Sequence, residues 1–305
     1  MTHLCVLGAA RESVSVADPE AISSEAFFHE LLGFSLSEAR GLFVFIRDLP
    51  EHPTRRNWLR VPRPFLHLFS QTPFVHVRTL TFQFELPTAI SLLFDLLAFM
   101  PALRELSVIS ALSIEELESA PDMPDFGSPA PAVRTLERLS YGANLALQTV
   151  ATRIIAPSAE SLRELELYWS HLPKCTPLLP RLPNVYSVAT MWLDDASAIL
   201  IRQCPALSHL KVSDDNLEDL RELLNESGAR IRFLEISRDV DDFTDEDAEG
   251  LSVAVTWFPS LRRLTVLTRD RYEASAVQYL LAVCRQRRVR LHFQSYAEAA
   301  ADGAT

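Results

Sequence analysis

The chemistry-bearing side chains of this chain recur at matched intervals in its second half: Glu164, Glu166, His209, Lys211, Phe233, Glu235 and Arg263, with Tyr168 and Trp169 beside the first pair. Carboxylate, imidazole, ammonium, guanidinium and aromatic groups so mixed suit ion pairing, hydrogen bonding and ring contact. Bond-making would need a nucleophile, a base and a charge stabiliser converging on one point, and no reactive set stands at plausible spacing. The eight histidines are scattered singly; only His209 and His292 fall at variable positions of a strand pattern. The four cysteines, Cys5, Cys175, Cys204 and Cys284, lie far apart without a C-x-x-C pair, so neither a disulfide framework nor a zinc site is expected. Cys204 and Cys284 follow apolar runs and read as small buried hydrophobes.

Eight glycines in the whole chain supply no G-x-G-x-x-G or phosphate-cradling loop, and neither G-x-S-x-G nor H-E-x-x-H occurs. The acidic run Asp239, Asp241, Asp242, Asp245, Glu246, Asp247 and Glu249 lacks the glycine and alternating spacing of a calcium loop. Carboxylates there suit a helix start, where the dipole favours negative charge. The expectation is a protein with no catalytic residues, no metal and no cofactor.

The selected residues sit inside a repeated phrase, apolar-x-x-apolar-x-apolar, which positions them. It reads Leu103-Arg-Glu-Leu106-Ser-Val108, Leu162-Arg-Glu-Leu165-Glu-Leu167, Leu207-Ser-His-Leu210-Lys-Val212, Ile231-Arg-Phe-Leu234-Glu-Ile236 and Leu261-Arg-Arg-Leu264-Thr-Val266. This is a leucine-rich-repeat signature. Its first positions fall at Val77, Leu103, Val133, Leu162, Val185, Leu207, Ile231, Leu261 and Val289, with an earlier unit at Ala39-Arg-Gly-Leu42-Phe-Val44, giving about ten irregular repeats. Helical spacing of apolar residues predicts a helix after several strands, over Thr88 to Met100, Asp194 to Gln203, Asn216 to Asn225, Ala248 to Trp257 and Ser275 to Gln286. Thr244 with Asp247 and Ser275 with Gln278 are start signals; Gly228 is a stop. Prolines after Met100, Cys204 and Phe258 end the helix, because the ring clashes and the N–H is missing.

The expected fold class is therefore α/β: a leucine-rich-repeat solenoid, or horseshoe, with parallel strands on the concave face and helices on the convex face. It curves because a helix is wider than the strand spacing of roughly 4.8 Å. The solenoid is assigned to residues 1–296, with 1–38 as a cap or degenerate first repeat and 297–305 as a flexible tail. Leu49 to Pro64, Ser113 to Pro131 and Pro173 to Pro183 are proline-rich and break the pattern as surface loops.

Hydrophobic residues make up 48% of the 305, enough for a continuous core, so disorder is not expected for most of the chain. The net charge of −11 is spread evenly and carries no nucleic-acid footprint. Two arginine groups, Arg55 to Arg63 around Trp58 and Arg285 to Arg290, read as solvated loop or end-cap charges. Without a basic leader or an uncharged apolar run of membrane-spanning length, the chain is expected to be soluble and cytoplasmic or nuclear, with no membrane partner.

Cys204-Pro-Ala-Leu207-Ser-His-Leu210 resembles the repeats of F-box proteins, and Val77-Arg-Thr-Leu80-Thr-Phe82 with Met100-Pro-Ala-Leu-Arg-Glu-Leu106 resembles fungal F-box/leucine-rich-repeat proteins, over about residues 13 to 296. The resemblance implies the substrate-recognition region of a ubiquitin ligase component. An F-box opens on Leu-Pro-x-Glu-Leu and ends near Cys-x-x-Trp, and residues 1–40 contain neither. The adaptor subunit of a cullin ligase is thus implied as a partner only if an F-box lies upstream. Otherwise a ligase-independent binding or regulatory protein of the same fold is the alternative.

In the phrase, fixed apolar positions point into the core and the variable ones point away from it. Tyr168, Trp169, Glu164, Glu166, His209, Lys211, Phe233, Glu235 and Arg263 are accordingly the expected protein-binding set, with Trp192 at its rim. Tyr168 and Phe233 stand out, because an aromatic ring on an open strand face calls for cover from a partner or a neighbouring strand.

Overall fold

In a computed structural model, the described residues are 41–46, 77–84, 93–94, 97–98, 100–110, 135–142, 150–167, 179–190, 195–213, 230–237, 242–268, 271–272 and 274–295. The expected cap (1–38), the tail (297–305), the loops 49–64 and 113–131, the helix 216–225, Gly228, Cys5, Cys175, Tyr168, Trp169 and Trp192 lie outside them. The chain divides into two compact units, Met1–Leu162 and Arg163–Thr305.

The first unit carries β1 (Gly41–Ile46), β2 (Thr79–Phe84), β3 (Glu105–Ser110) and β4 (Arg138–Gly142). Each pairs in parallel with its sequence neighbour, and the phrase stays in register: Leu42, Leu80, Leu106 and Leu139 align. A turn of π-helix at Ala151–Ile155 and a 3₁₀ turn at Ala156–Ser158 follow.

The second unit carries β5 (Glu164–Leu167), β6 (Ser187–Thr190), β7 (His209–Val212), β8 (Phe233–Ser237), β10 (Arg263–Thr268) and β12 (Arg290–Ser295), again parallel and in sequence order. The helices are α1 (Asp195–Gln203), α2 (Asp245–Trp257) and α3 (Ala274–Gln286). Two short strands, β9 (Asp242–Phe243) and β11 (Arg271–Tyr272), pair with each other just ahead of α2 and α3. Strand, crossover helix and next parallel strand in strict sequence order make an α/β repeat solenoid of the expected class.

Alternation along each strand builds the core. In β7, Leu210 and Val212 are buried between half-buried His209 and exposed Lys211; in β8, Leu234 and Ile236 are buried between Phe233 and Glu235. The helices add Leu200 and Ile201, Leu251 and Val255, and Leu280 and Cys284. Each fully buried leucine removes enough apolar surface to contribute about 2 kcal/mol.

The prolines do more than end helices. Leu103 N–H donates to Met100 C=O (3.2 Å), Val185 to Leu182 (3.4 Å), Leu207 to Cys204 (3.1 Å) and Leu261 to Phe258 (3.1 Å). Each pair closes a four-residue turn with Pro101, Pro183, Pro205 or Pro259 second, where its fixed φ already matches the turn. The start of α2 is a capping box: Asp247 N–H donates to Thr244 Oγ1, and Thr244 N–H to Asp247 Oδ2 at 2.8 Å.

Two repeat positions differ from the sequence assignment. Leu106 aligns with Leu139, so the first phrase position there is Leu136, not Val133, and the preceding repeat is 33 residues long. Val133-Arg-Thr-Leu136 and Leu136-Glu-Arg-Leu139 overlap, but the former would put Arg138 at its third core position, an uncompensated charge. The latter puts Tyr141 there, which is buried. Thr135 and Ser161, each one residue ahead of its phrase, make the same bond, the hydroxyl donating at 2.8 Å to the first carbonyl of the previous phrase, Leu103 or Leu136.

In the last repeat the register places Arg288, not Val289, opposite Leu261. Arg288 is left-handed (φ 59°) because α3 runs directly into the strand without a proline turn. Val289 N–H donates to Cys284 C=O at 2.8 Å, the bond of a helix-ending Schellman turn.

Candidate functional site

The register of the second unit arranges its variable positions in rows across the strands. The first row is Glu164, Ser187, His209, Phe233, Arg263 and Arg290; the second is Glu166, Ala189, Lys211, Glu235, Thr265 and His292. Seven of the nine sequence-selected residues thus share one face. Tyr168 and Trp169 lie outside the described residues.

Side chains of the first row touch one another across three strands, β7, β8 and β10. His209 stacks on Phe233 with ring centroids 4.2 Å apart and planes 11° from parallel, and the Arg263 guanidinium carbon lies 5.2 Å from the Phe233 centroid. Because β8 lies between β7 and β10, His209 and Arg263 take opposite faces of the ring. The tilt toward parallel planes and the charge over the ring are the favourable geometries for these pairs. Phe233 therefore finds its cover within the chain, the cross-strand alternative to a partner.

Tyr186, which the sequence pattern did not single out, completes the series. It precedes β6 by one residue, meets His209 edge-on at 5.6 Å, and its hydroxyl donates to Glu164 Oε1. The signal was an aromatic, 37% exposed, at a phrase position held by Arg104, Arg163, Ser208, Arg232 and Arg262 in other repeats. Ser208 Oγ and His209 Nδ1 are 2.9 Å apart, fixing the imidazole from the side. In the second row Lys211 Nζ stands 3.8 Å from Glu235 Oε1. Ala189 and Thr265 are buried small residues between longer neighbours.

Burial is the largest influence on His209 and lowers its pKa below 6.5; the Arg263 charge lowers it further, Lys211 less so, while Glu164 and the Tyr186 carbonyl oppose them. The imidazole is therefore neutral at physiological pH and stacks as an aromatic. Burial also pushes the Cys204 thiol up to about 12 and the Cys284 thiol up to about 11, so neither is a thiolate at neutral pH. Among the described residues no His, Cys, Asp or Glu group could hold a metal ion, and no helix is long and apolar enough to cross a membrane.

The corresponding rows of the first unit are plainer. Gly41, Thr79, Glu105 and Arg138 form one, Phe43, Thr81, Ser107 and Ser140 the next. Charges there pair within the face: Arg104 Nη1 with Glu137 Oε1 at 2.7 Å and Arg138 Nη1 with Glu105 Oε1 at 3.8 Å.

No family model matches the chain, and no curated protein matches it. Among solved structures, the chain is similar to a protein of Bacteroides fragilis at 13% identity and a TM-score of 0.48, over 88% of this chain and 69% of that one.

Proposed function

We propose that this chain is a non-catalytic protein-interaction scaffold whose recognition surface is the first-row series of β5 to β10. The observation that carries it is the preorganised contact series Glu164, Tyr186, His209, Phe233 and Arg263, partly exposed and made of residue types that dominate binding hot spots. Rings already stacked lose little rotamer freedom when a partner docks. Repeat arrays offer such extended faces because each unit contributes one strand's worth of variable side chains.

The finer assignment is the substrate-recognition region of an F-box-type ubiquitin ligase component, acting in the cytoplasm or nucleus. It rests on the resemblance of the Cys204-Pro-Ala-Leu207, Val77-Arg-Thr-Leu80 and Met100-Pro-Ala-Leu103 phrases. The alternative is a ligase-independent binding or regulatory protein. Immobilised full-length chain and its His209→Ala/Phe233→Ala variant, both checked for folding, are compared for proteins captured from native extract. A captured set lost with the variant supports the scaffold; an identical set from both overturns this surface. Co-capture of the cullin-ligase adaptor supports the finer assignment; captured proteins whose cellular levels stay unchanged when this protein is removed support the alternative.

A further inference from the structure

At its β8–β12 end the same face changes character. Arg232, Arg262, Arg263 and Arg290 occupy adjacent phrase positions on three neighbouring strands, all exposed. Among the described residues none of the four has a carboxylate partner, whereas Arg104, Arg138 and Lys211 each have one across the neighbouring strand. In a chain of net charge −11, unneutralised guanidiniums gathered within about two strand spacings, roughly 10 Å, form a local positive field against the overall sign.

We infer that this end of the face binds an acidic, Asp/Glu-rich segment of a partner protein, laid across the strands with its carboxylates on Arg262, Arg263 and Arg290. The inference rests on the scaffold reading and specifies its partner. The Arg263 guanidinium carbon lies over the Phe233 ring, 5.2 Å from its centroid, and its side chain is exposed. A guanidinium beside a ring keeps in-plane N–H donors that can make bidentate carboxylate bonds. A nucleic acid fits less well: its bases need open aromatic faces, and both faces of Phe233 are taken, by His209 and Arg263. The overall negative charge also repels a long polyanion while tolerating a short segment with a few carboxylates.

The test is fluorescence anisotropy of the full-length chain with a short labelled peptide alternating Glu and Leu, its Gln-for-Glu counterpart, and single-stranded oligouridine. The Glu peptide binds roughly ten-fold or more tightly than the Gln peptide, a gap that shrinks as salt is raised. Arg263→Glu/Arg290→Glu abolishes that preference; if the double reversal does not fold, Arg262→Gln/Arg290→Gln weakens Glu-peptide binding several-fold. Equal binding of the two peptides, a folded variant that keeps the preference, or tighter binding of oligouridine overturns the inference. Should the peptide preference fail while capture from extract still depends on His209 and Phe233, the acidic partner falls and the scaffold reading stands. Should capture be indifferent to those residues, the scaffold reading falls.

Discussion

The strand faces of the two units are built on the same backbone rule and spend their variable positions differently. In Met1–Leu162 they hold small hydroxyl residues, Thr81, Ser107 and Ser140, and opposite charges that neutralise each other, Arg104 with Glu137 and Glu105 with Arg138. In Arg163–Thr305 they hold a stacked aromatic series and, at one end, arginines without carboxylate partners among the described residues. Since both units bury their leucines equally, stability does not explain the difference. A self-neutralised face presents little that a partner could complete, whereas hydrated, unpaired guanidiniums beside rigid rings leave donors that a partner's carboxylates can take.

The largest expected effect tests the shared part of this comparison. Leu106→Ala in the first unit and Leu210→Ala in the second remove equivalent core side chains, 2% and 0% exposed. Each is expected to cost about 3 kcal/mol in denaturant unfolding. A much smaller loss in either would mean the units are not packed alike.

Replacing Phe233 with Ala separates the faces. The ring loses the His209 stack and the Arg263 contact, so a cost of about 1 to 2 kcal/mol is expected in thermal or urea unfolding. The matching experiment in the first unit is a double-mutant cycle on Arg104 and Glu137, whose side chains are half exposed; its coupling should be about 0.5 kcal/mol. A coupling as large as the Phe233 loss would erase the contrast.

The smallest effect is electrostatic. NMR titration should place the His209 midpoint below 6.5, and Arg263→Gln should raise it, since the guanidinium disfavours the imidazolium. Because the folded value is lowered, the unfolded chain takes up the proton first. The stability contributed by neutral His209 is thus present above pH 6.5 and is lost as pH falls through the folded value. A midpoint that Arg263→Gln leaves unmoved would show that burial alone sets it.

Much of this was legible in the sequence, because it depends on local rules. The phrase at Leu207 to Val212 states which side chains are buried, since alternation along a strand is fixed by its geometry. Thr244 and Asp247 state where α2 begins, because a capping box closes within four residues. The Leu136 register was also available, in the cost of burying Arg138, but two overlapping phrases had to be weighed against that charge. Tyr186 was missed because it lies one residue outside the strand, and its value comes from reaching Glu164 and His209 on two neighbouring repeats.

The sequence alone therefore determined the repeat, its strand–helix alternation and the division between core and face positions. These follow from hydrophobic periodicity and short-range capping and turn chemistry. Tertiary structure decided which variable residues become neighbours, because register links residues more than twenty positions apart. Only that pairing neutralises Arg104 with Glu137, sandwiches Phe233 between His209 and Arg263, and leaves Arg262 and Arg290 without a carboxylate among the described residues.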